Sequence, residues 1–267
     1  GFQFEVAGMG QLDEDSKHYL EYRLRGPNQF QISSLGKYDE YYARYQGPVF
    51  TLLAGDHLYK LTPLTEYARY GRGIYGKVNI GDFDIGGFYN KPRFYPGIKD
   101  EVAGSANFRF AGKNRVGAHF LHKRFSEEQG EANILSLDAS FFPFKKTEID
   151  VEASRGFSGN EYGNAFRLNF VTRQKKYQVS TYAVYADENY PGYYNNVLYF
   201  GGNFGYQFSS KWNIFLNLNR SDYNASQDTL YGTAPLRENY QAGAGFRKSE
   251  KSHLTVYAGY RYSEDRM

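Results

Sequence analysis

The 267-residue chain has no cysteine, one tryptophan, two methionines and eight prolines. Without cysteine there is neither a disulfide scaffold nor a thiolate metal site. Mean hydropathy is low at -0.68, and no run approaches the roughly eighteen apolar residues of a membrane helix, which excludes an α-helical membrane protein. A clustered charge of one sign is also missing. Lysine and arginine (32) nearly balance aspartate and glutamate (29), and the net charge of +3 is dispersed. A nucleic-acid partner would require a concentrated basic face, so none is expected.

What the chain has in excess is aromatic side chains, 27 Tyr and 22 Phe among them, and alternation. The clearest stretch runs from Val197 to Arg220. Leu198, Phe200, Phe204 and Phe208 share one parity, while Asn203, Gly205 and Gln207 take the other. After Ser209-Ser210 the pattern resumes, with Trp212, Ile214, Leu216 and Leu218 opposite Lys211, Asn213, Asn217 and Asn219. Strand side chains alternate with period two, so this is a hairpin with one apolar and one amide-rich face. Transmembrane barrels leave alternate residues polar, which reconciles low hydropathy with a membrane wall.

The same pattern recurs along the chain. It predicts roughly seventeen strands, each near the length that a tilted membrane-crossing strand needs. Among them are a return strand at Phe30 and Ile32, pairs over 39–45 and 49–55, 73–80 and 82–90, 101–110 and 115–124, 132–142 and 147–155, 164–173 and 176–186, and a closing pair over 238–247 and 253–262. Gly156 to Gly163 reads as a loop. Connections alternate between tight turns holding Lys, Gly, Pro, Asn and Ser, and longer polar loops, the arrangement of an outer-membrane barrel with its short end periplasmic. The fold expected is all-β: an antiparallel up-and-down transmembrane β-barrel, one domain over 1–267. The chain opens in mid-strand and does not close on an aromatic strand end, so a larger barrel is expected, with residues missing at one or both ends.

Parity then assigns a water-lined inner face. Its candidates are Lys77, Asn79, Asn107, Arg109, Arg115, Glu148, Asp150, Glu152, Arg167, Asn169, Asn203, Asn213, Asn217 and Arg261, with His119, Lys123, Gln178 and Ser180 alongside. In a dry core each would cost kcal/mol, and a water-filled lumen removes that cost. Tyr199, Phe215 and Tyr257 share this face and could stack on sugars or pack on one another. Catalytic chemistry finds no constellation, so no enzyme activity is expected. Asp82 and Asp84 are two apart, but one belongs to a turn and the other to the wall. His119 and His122 fall on opposite faces and cannot share a metal. No metal site and no cofactor are expected.

One segment breaks the alternation. Leu52 to Ile74 reads L-L-A-G-D-H-L-Y-K-L-T-P-L-T-E-Y-A-R-Y-G-R-G-I. Leu58, Tyr59, Leu61, Leu64, Tyr67 and Tyr70 are too apolar for a solvated loop. The expectation is that it folds inward and constricts or gates a pore, through Gly55, Asp56, Arg69, Arg72 and Gly73, with Arg69 or Arg72 anchored on Asp84, Glu148 or Asp150. With the upstream Tyr41-Tyr42-Ala43-Arg44-Tyr45, residues 41–75 resemble the fimbrial ushers, which carry a Tyr/Arg strand, a strand ending in Gly-Asp, a short link and an Arg-Gly strand start. The Ser-Asp and Met-x-Pro elements that follow in ushers are absent. The resemblance implies a large outer-membrane barrel exporting protein.

The reading is therefore an outer-membrane β-barrel for transport, with export first, and a passive or substrate-selective porin or an anchor for surface loops as alternatives. Expected partners are outer-membrane lipid, lipopolysaccharide, an exported protein or polysaccharide, and other envelope components.

Overall fold

The computed structural model describes residues 4–26, 39–126, 130–228, 232–249 and 252–267. Among the described residues sixteen strands form one antiparallel sheet in strict sequence order. No helix occurs among the described residues. The chain clusters into two compact units, 1–108 with 117–133, and 109–116 with 134–267.

The first unit holds β1 (Phe4–Gln11), β2 (Tyr19–Gly26), β3 (Glu40–Gln46), β4 (Phe50–Tyr59), β5 (Arg69–Ile80), β6 (Phe83–Pro92), and most of β7 (Ile98–Phe110) and β8 (Asn114–Phe125). The second holds most of β9 (Glu131–Phe141), then β10 (Thr147–Ser158), β11 (Glu161–Arg173), β12 (Tyr177–Ala186), β13 (Val197–Gln207), β14 (Trp212–Tyr223), β15 (Pro235–Ser249) and β16 (Ser252–Asp265).

Register keeps the two faces chemically distinct. In the second unit Leu168 lies opposite Ala183 and Ala183 opposite Phe200, while Phe204 faces Leu216 and Leu216 faces Ala242. One residue out of phase runs a polar row, Ser180–Asn203–Asn217–Gln241. A register slip by one would exchange these faces wholesale, so the pattern specifies the pairing. In the first unit Leu52, Ile74, Val78, Ile85, Val102 and Phe120 stand exposed on one face. Exposed apolar surface this continuous calls for a nonaqueous neighbour.

The strand expected at Phe30 and Ile32 lies outside the described residues. Two boundaries differ from the sequence expectation. Gly156 to Gly163 is not a loop: β10 and β11 stay paired to Ser158 and Glu161, closed by a two-residue turn in which Gly159 has φ +59. The irregular segment after Gly55 is shorter than expected. β4 and β5 remain in register from Phe50↔Val78 to Tyr59↔Arg69, leaving only 60–68 as the link. Gly55 allows this. Its φ is +108, and a Cβ there would meet the Tyr41 carbonyl oxygen at 1.9 Å, so only glycine passes β3 at this distance.

Candidate functional site

The link 60–68 is folded onto the polar face of the first unit. Leu64, Thr65 and Glu66 are fully buried. Two threonines hold its turn: the Thr62 amide donates to Thr65 Oγ1 at 3.1 Å, and the Thr65 amide to Thr62 Oγ1 at 3.2 Å. The Leu61 amide donates to the Glu66 carbonyl at 2.8 Å. Local side-chain bonds of this kind replace the ladder bonds that a strand would supply.

Glu66 then joins the link to the wall. Its carboxylate lies 3.0 Å from Lys123 Nζ on β8 and 3.0 Å from Arg69 Nη2 at the start of β5. Lys123 also lies 3.9 Å from Glu101 on β7, and Asn90 Nδ2 on β6 donates to Glu101 at 3.2 Å. Two carboxylates and two cations are thus gathered out of water. Burial works to raise the Glu66 carboxyl, but Lys123, a hydrogen bond with Glu101, and Arg69 together outweigh it and hold it below the ordinary carboxylate range. Tyr95 lies against the Arg69 guanidinium, 3.8 Å from ring centroid to Cζ. Below the link, Tyr59 packs on Phe88 and donates to the Gly55 carbonyl at 2.7 Å.

Arg69 and Arg72, three apart, take opposite faces. Arg69 enters the buried cluster. Arg72 stands on the apolar-face parity and grips Asp56 through Nε at 3.1 Å and Nη2 at 2.7 Å, and Asp39 at 2.9 Å. Arg93 completes this rim network with bonds to Asp39 at 2.6 Å and Asp56 at 3.0 Å. Burial works to raise Asp39, and the hydrogen bonds from Arg72 and Arg93 prevail and lower it. The anchoring carboxylates are therefore Glu66, Asp56 and Asp39, in place of the expected Asp84, Glu148 and Asp150. Adjacent-strand register decides this, because Asp56 lies directly opposite Arg72. Asp84 pairs with Lys77 at 3.4 Å instead, and Asp150 accepts from Asn169 Nδ2 at 3.0 Å.

Beside the link lies a cavity of about 600 Å³, lined by Arg44, His57, Tyr59, Lys60, Tyr75, Lys77 and Asn79 among others. Among the described residues no carboxylate lines it. Arg44 donates to Gln46 at 3.0 Å and has no ion pair among the described residues. Cations and phenol rings around one space suit an anionic or hydroxyl-rich solute.

The other expected wall residues fall into lateral pairs on the polar parity. In the first unit Asn107 lies opposite Asp84. In the second, Arg115 bonds Asp138, Arg167 Nε lies 3.4 Å from Glu152, Asn203 donates to Ser180 at 3.4 Å and Asn217 to Gln241 at 3.1 Å. Asn213 faces Gly245 and Arg261 faces Asn239, and Glu148 lies opposite Val171. Arg109 shares the parity of Asn107 on β7. Tyr199 packs edge-on to Tyr182 and accepts from Asn219 at 3.0 Å.

Four features escape a parity reading. Glu66, Glu101 and Arg93 matter through contacts made far along the chain. The loop 187–196 also folds inward, with Tyr190 fully buried and donating to Ser154 Oγ at 2.8 Å. A Tyr-Pro pair inside a polar loop was the available signal for it.

The sequence matches no protein-family model and no curated protein. Solved structures do match. OccK2 (OpdF) of Pseudomonas aeruginosa aligns with a TM-score of 0.58 at 11% identity, over 99% of this chain and 86% of that one. Wzi of Escherichia coli, an outer-membrane protein described as a carbohydrate-binding β-barrel involved in group 1 capsule assembly, aligns at 0.55 and 11% identity, over 99% and 75%. A BenF-like porin from Pseudomonas fluorescens Pf-5 aligns at 0.54 and 8% identity, over 98% and 86%. OccK2 is also known in complex with glucuronate. At these identities the likeness is one of fold: sixteen antiparallel strands arranged as in outer-membrane β-barrel porins.

Proposed function

We propose that this chain is a substrate-selective outer-membrane channel for small acidic or sugar-like solutes, narrowed by the inward-folded link 60–68. The observation that carries the reading is the buried Glu66–Lys123 attachment, which holds the link against the wall beside the basic, phenol-lined cavity. A link that served only to connect β4 and β5 would not need a buried carboxylate held by Lys123 and Arg69. The likeness to OccK2, which binds glucuronate, and to Wzi, described as carbohydrate-binding, supports a solute with hydroxyl and carboxylate groups. On this reading the apolar face meets outer-membrane lipid and lipopolysaccharide, and the polar-face residues from Lys77 to Arg261 line the water path.

Planar-bilayer recording tests it. Replacing 61–67 by a short glycine linker raises single-channel conductance, and glucuronate interrupts the current of the parent more than glucose does. Arg44→Gln with Lys77→Gln shortens those interruptions. Conductance unchanged by the deletion, together with glucuronate and glucose acting alike, would sink the proposal.

Export of protein or polysaccharide is the second reading. It rests on Gly55, Asp56, Arg72 and Gly73, which lie opposite one another across β4 and β5. Co-purification of an envelope protein on this hairpin, lost in Arg72→Ala, would favour it.

A further inference from the structure

The short-turn end of the second unit carries a second site of different chemistry. Lys175, Lys176, Lys211 and Arg247 line one cavity of about 340 Å³ whose lining, among the described residues, contains no aspartate or glutamate. None of the four has an ion pair among the described residues. Arg25, Arg69, Arg72, Arg93, Arg115 and Arg124, by contrast, each hold a carboxylate. Like charges crowded together repel, so a cluster left without counter-charge invites an anion.

Backbone bonds hold the cations in a lateral row. The Gln207 amide donates to the Lys176 carbonyl at 2.6 Å, and the Arg247 amide to the Lys211 carbonyl at 2.8 Å. Gln207 in turn lies opposite Asn213. Behind the row the floor is hollowed by glycine: a Cβ at Gly245 would come within 2.4 Å of Asn213 Oδ1, and one at Gly205 within 3.3 Å of Gln178 Nε2. The amides of Gln178 and Asn213 therefore occupy the space that side chains would fill, and the ring of Phe215 lies beside them in the lining.

The geometry points to a binding site for a small phosphomonoester of the sugar-phosphate type. A phosphate monoester carries close to two negative charges at neutral pH and three strong acceptor oxygens. That matches a guanidinium fork and two or three ammonium groups better than a monocarboxylate does. The amides and the Phe215 face supply what hydroxyls and a sugar ring need. A phospholipid headgroup offers the same phosphate, and Trp212 and Ile214 also border the cavity, but Gln178, Asn213 and Phe215 share the polar parity and turn the site to that face. The site is read from the second unit alone and stands whether or not the link 60–68 narrows a channel.

Calorimetric titration of the detergent-purified full chain tests it without recording any current. Glucose 6-phosphate binds at one site per chain, and glucose gives no heat. The affinity falls as ionic strength rises from about 0.05 M to about 0.5 M. Lys211→Gln with Arg247→Gln weakens it at least about tenfold, while Lys145→Gln, a cation in the neighbouring turn that does not line the cavity, changes it less than about twofold. Retained heat-modifiable electrophoretic mobility shows that each variant is folded. Equal binding of glucose and glucose 6-phosphate overturns the proposal. So does an unchanged affinity in the double variant, or an equal loss in Lys145→Gln. Competitive displacement of glucose 6-phosphate by phosphatidylglycerol micelles would assign the phosphate site to a lipid headgroup and overturn it likewise.

Discussion

Lys123 is among the most deeply buried residues of the first unit, 1% exposed, and it stands between Glu66 and Glu101. Removing one member of a buried charge group leaves the others uncompensated. Lys123→Met should therefore destabilise the folded chain by about 3–5 kcal/mol, and the double variant with Glu66→Gln should recover part of that loss. Denaturant unfolding in detergent measures both, and a single variant within about 1 kcal/mol of the parent would contradict the cluster. The same group sets a pH dependence. Glu66 has a folded pKa below its unfolded value, so its contribution is complete above the usual carboxylate range of about 4–4.5 and is lost as pH falls through the lowered folded value. Acid titration of link attachment, followed by protease cutting at 60–68, should show release only below that range, and Glu66→Gln should be nearly flat there.

Two connecting elements are pinned inward, and each is held by one buried aromatic. Tyr59 supports the link 60–68, and Tyr190 anchors the loop 187–196. Tyr190→Phe removes only the bond to Ser154 and should cost about 1 kcal/mol. Tyr190→Ala empties a fully buried ring site and should cost about 3–5 kcal/mol. If the two substitutions proved equal in thermal unfolding, the loop would owe its place to the hydroxyl rather than the packing. An inward fold over 55–73 was expected from six large apolar residues; of these Tyr59 and Leu64 are buried, while Leu58 and Tyr67 stand exposed. The burial of Tyr190 was not expected, because seven polar or small neighbours and two further tyrosines masked it.

Across the whole molecule the two-faced register predicts an asymmetry between adjacent residues. Leu216 lies in the apolar row and Asn217 in the polar one. Leu216→Arg should cost about 2–4 kcal/mol if its level is near the bilayer midplane, whereas Asn217→Arg should alter ion selectivity with little loss of stability. The absence of native cysteine makes single-cysteine labelling clean. In vesicles a membrane-impermeant maleimide should reach Asn217→Cys and spare Leu216→Cys, and the reverse outcome would mean an inverted face assignment.

The sequence by itself determined the all-β fold class and the antiparallel hairpin order, because period-two alternation is a local property that each strand states alone. It also marked 52–74 as exceptional, of which only 60–68 departs from the strand ladder. It did not determine where the pairing stops, since Gly55 and the Asp56–Arg72 pair carry β4 and β5 past the point where apolar alternation ends. Only the tertiary structure decided which charges meet. Glu66 and Lys123 are separated by most of four strands, and the choice between Glu66 and Asp84 as a partner depends on how the link folds over the wall. Charge pairing acts through space within a few ångströms, and a sequence orders residues along the chain without saying which distant ones come that close.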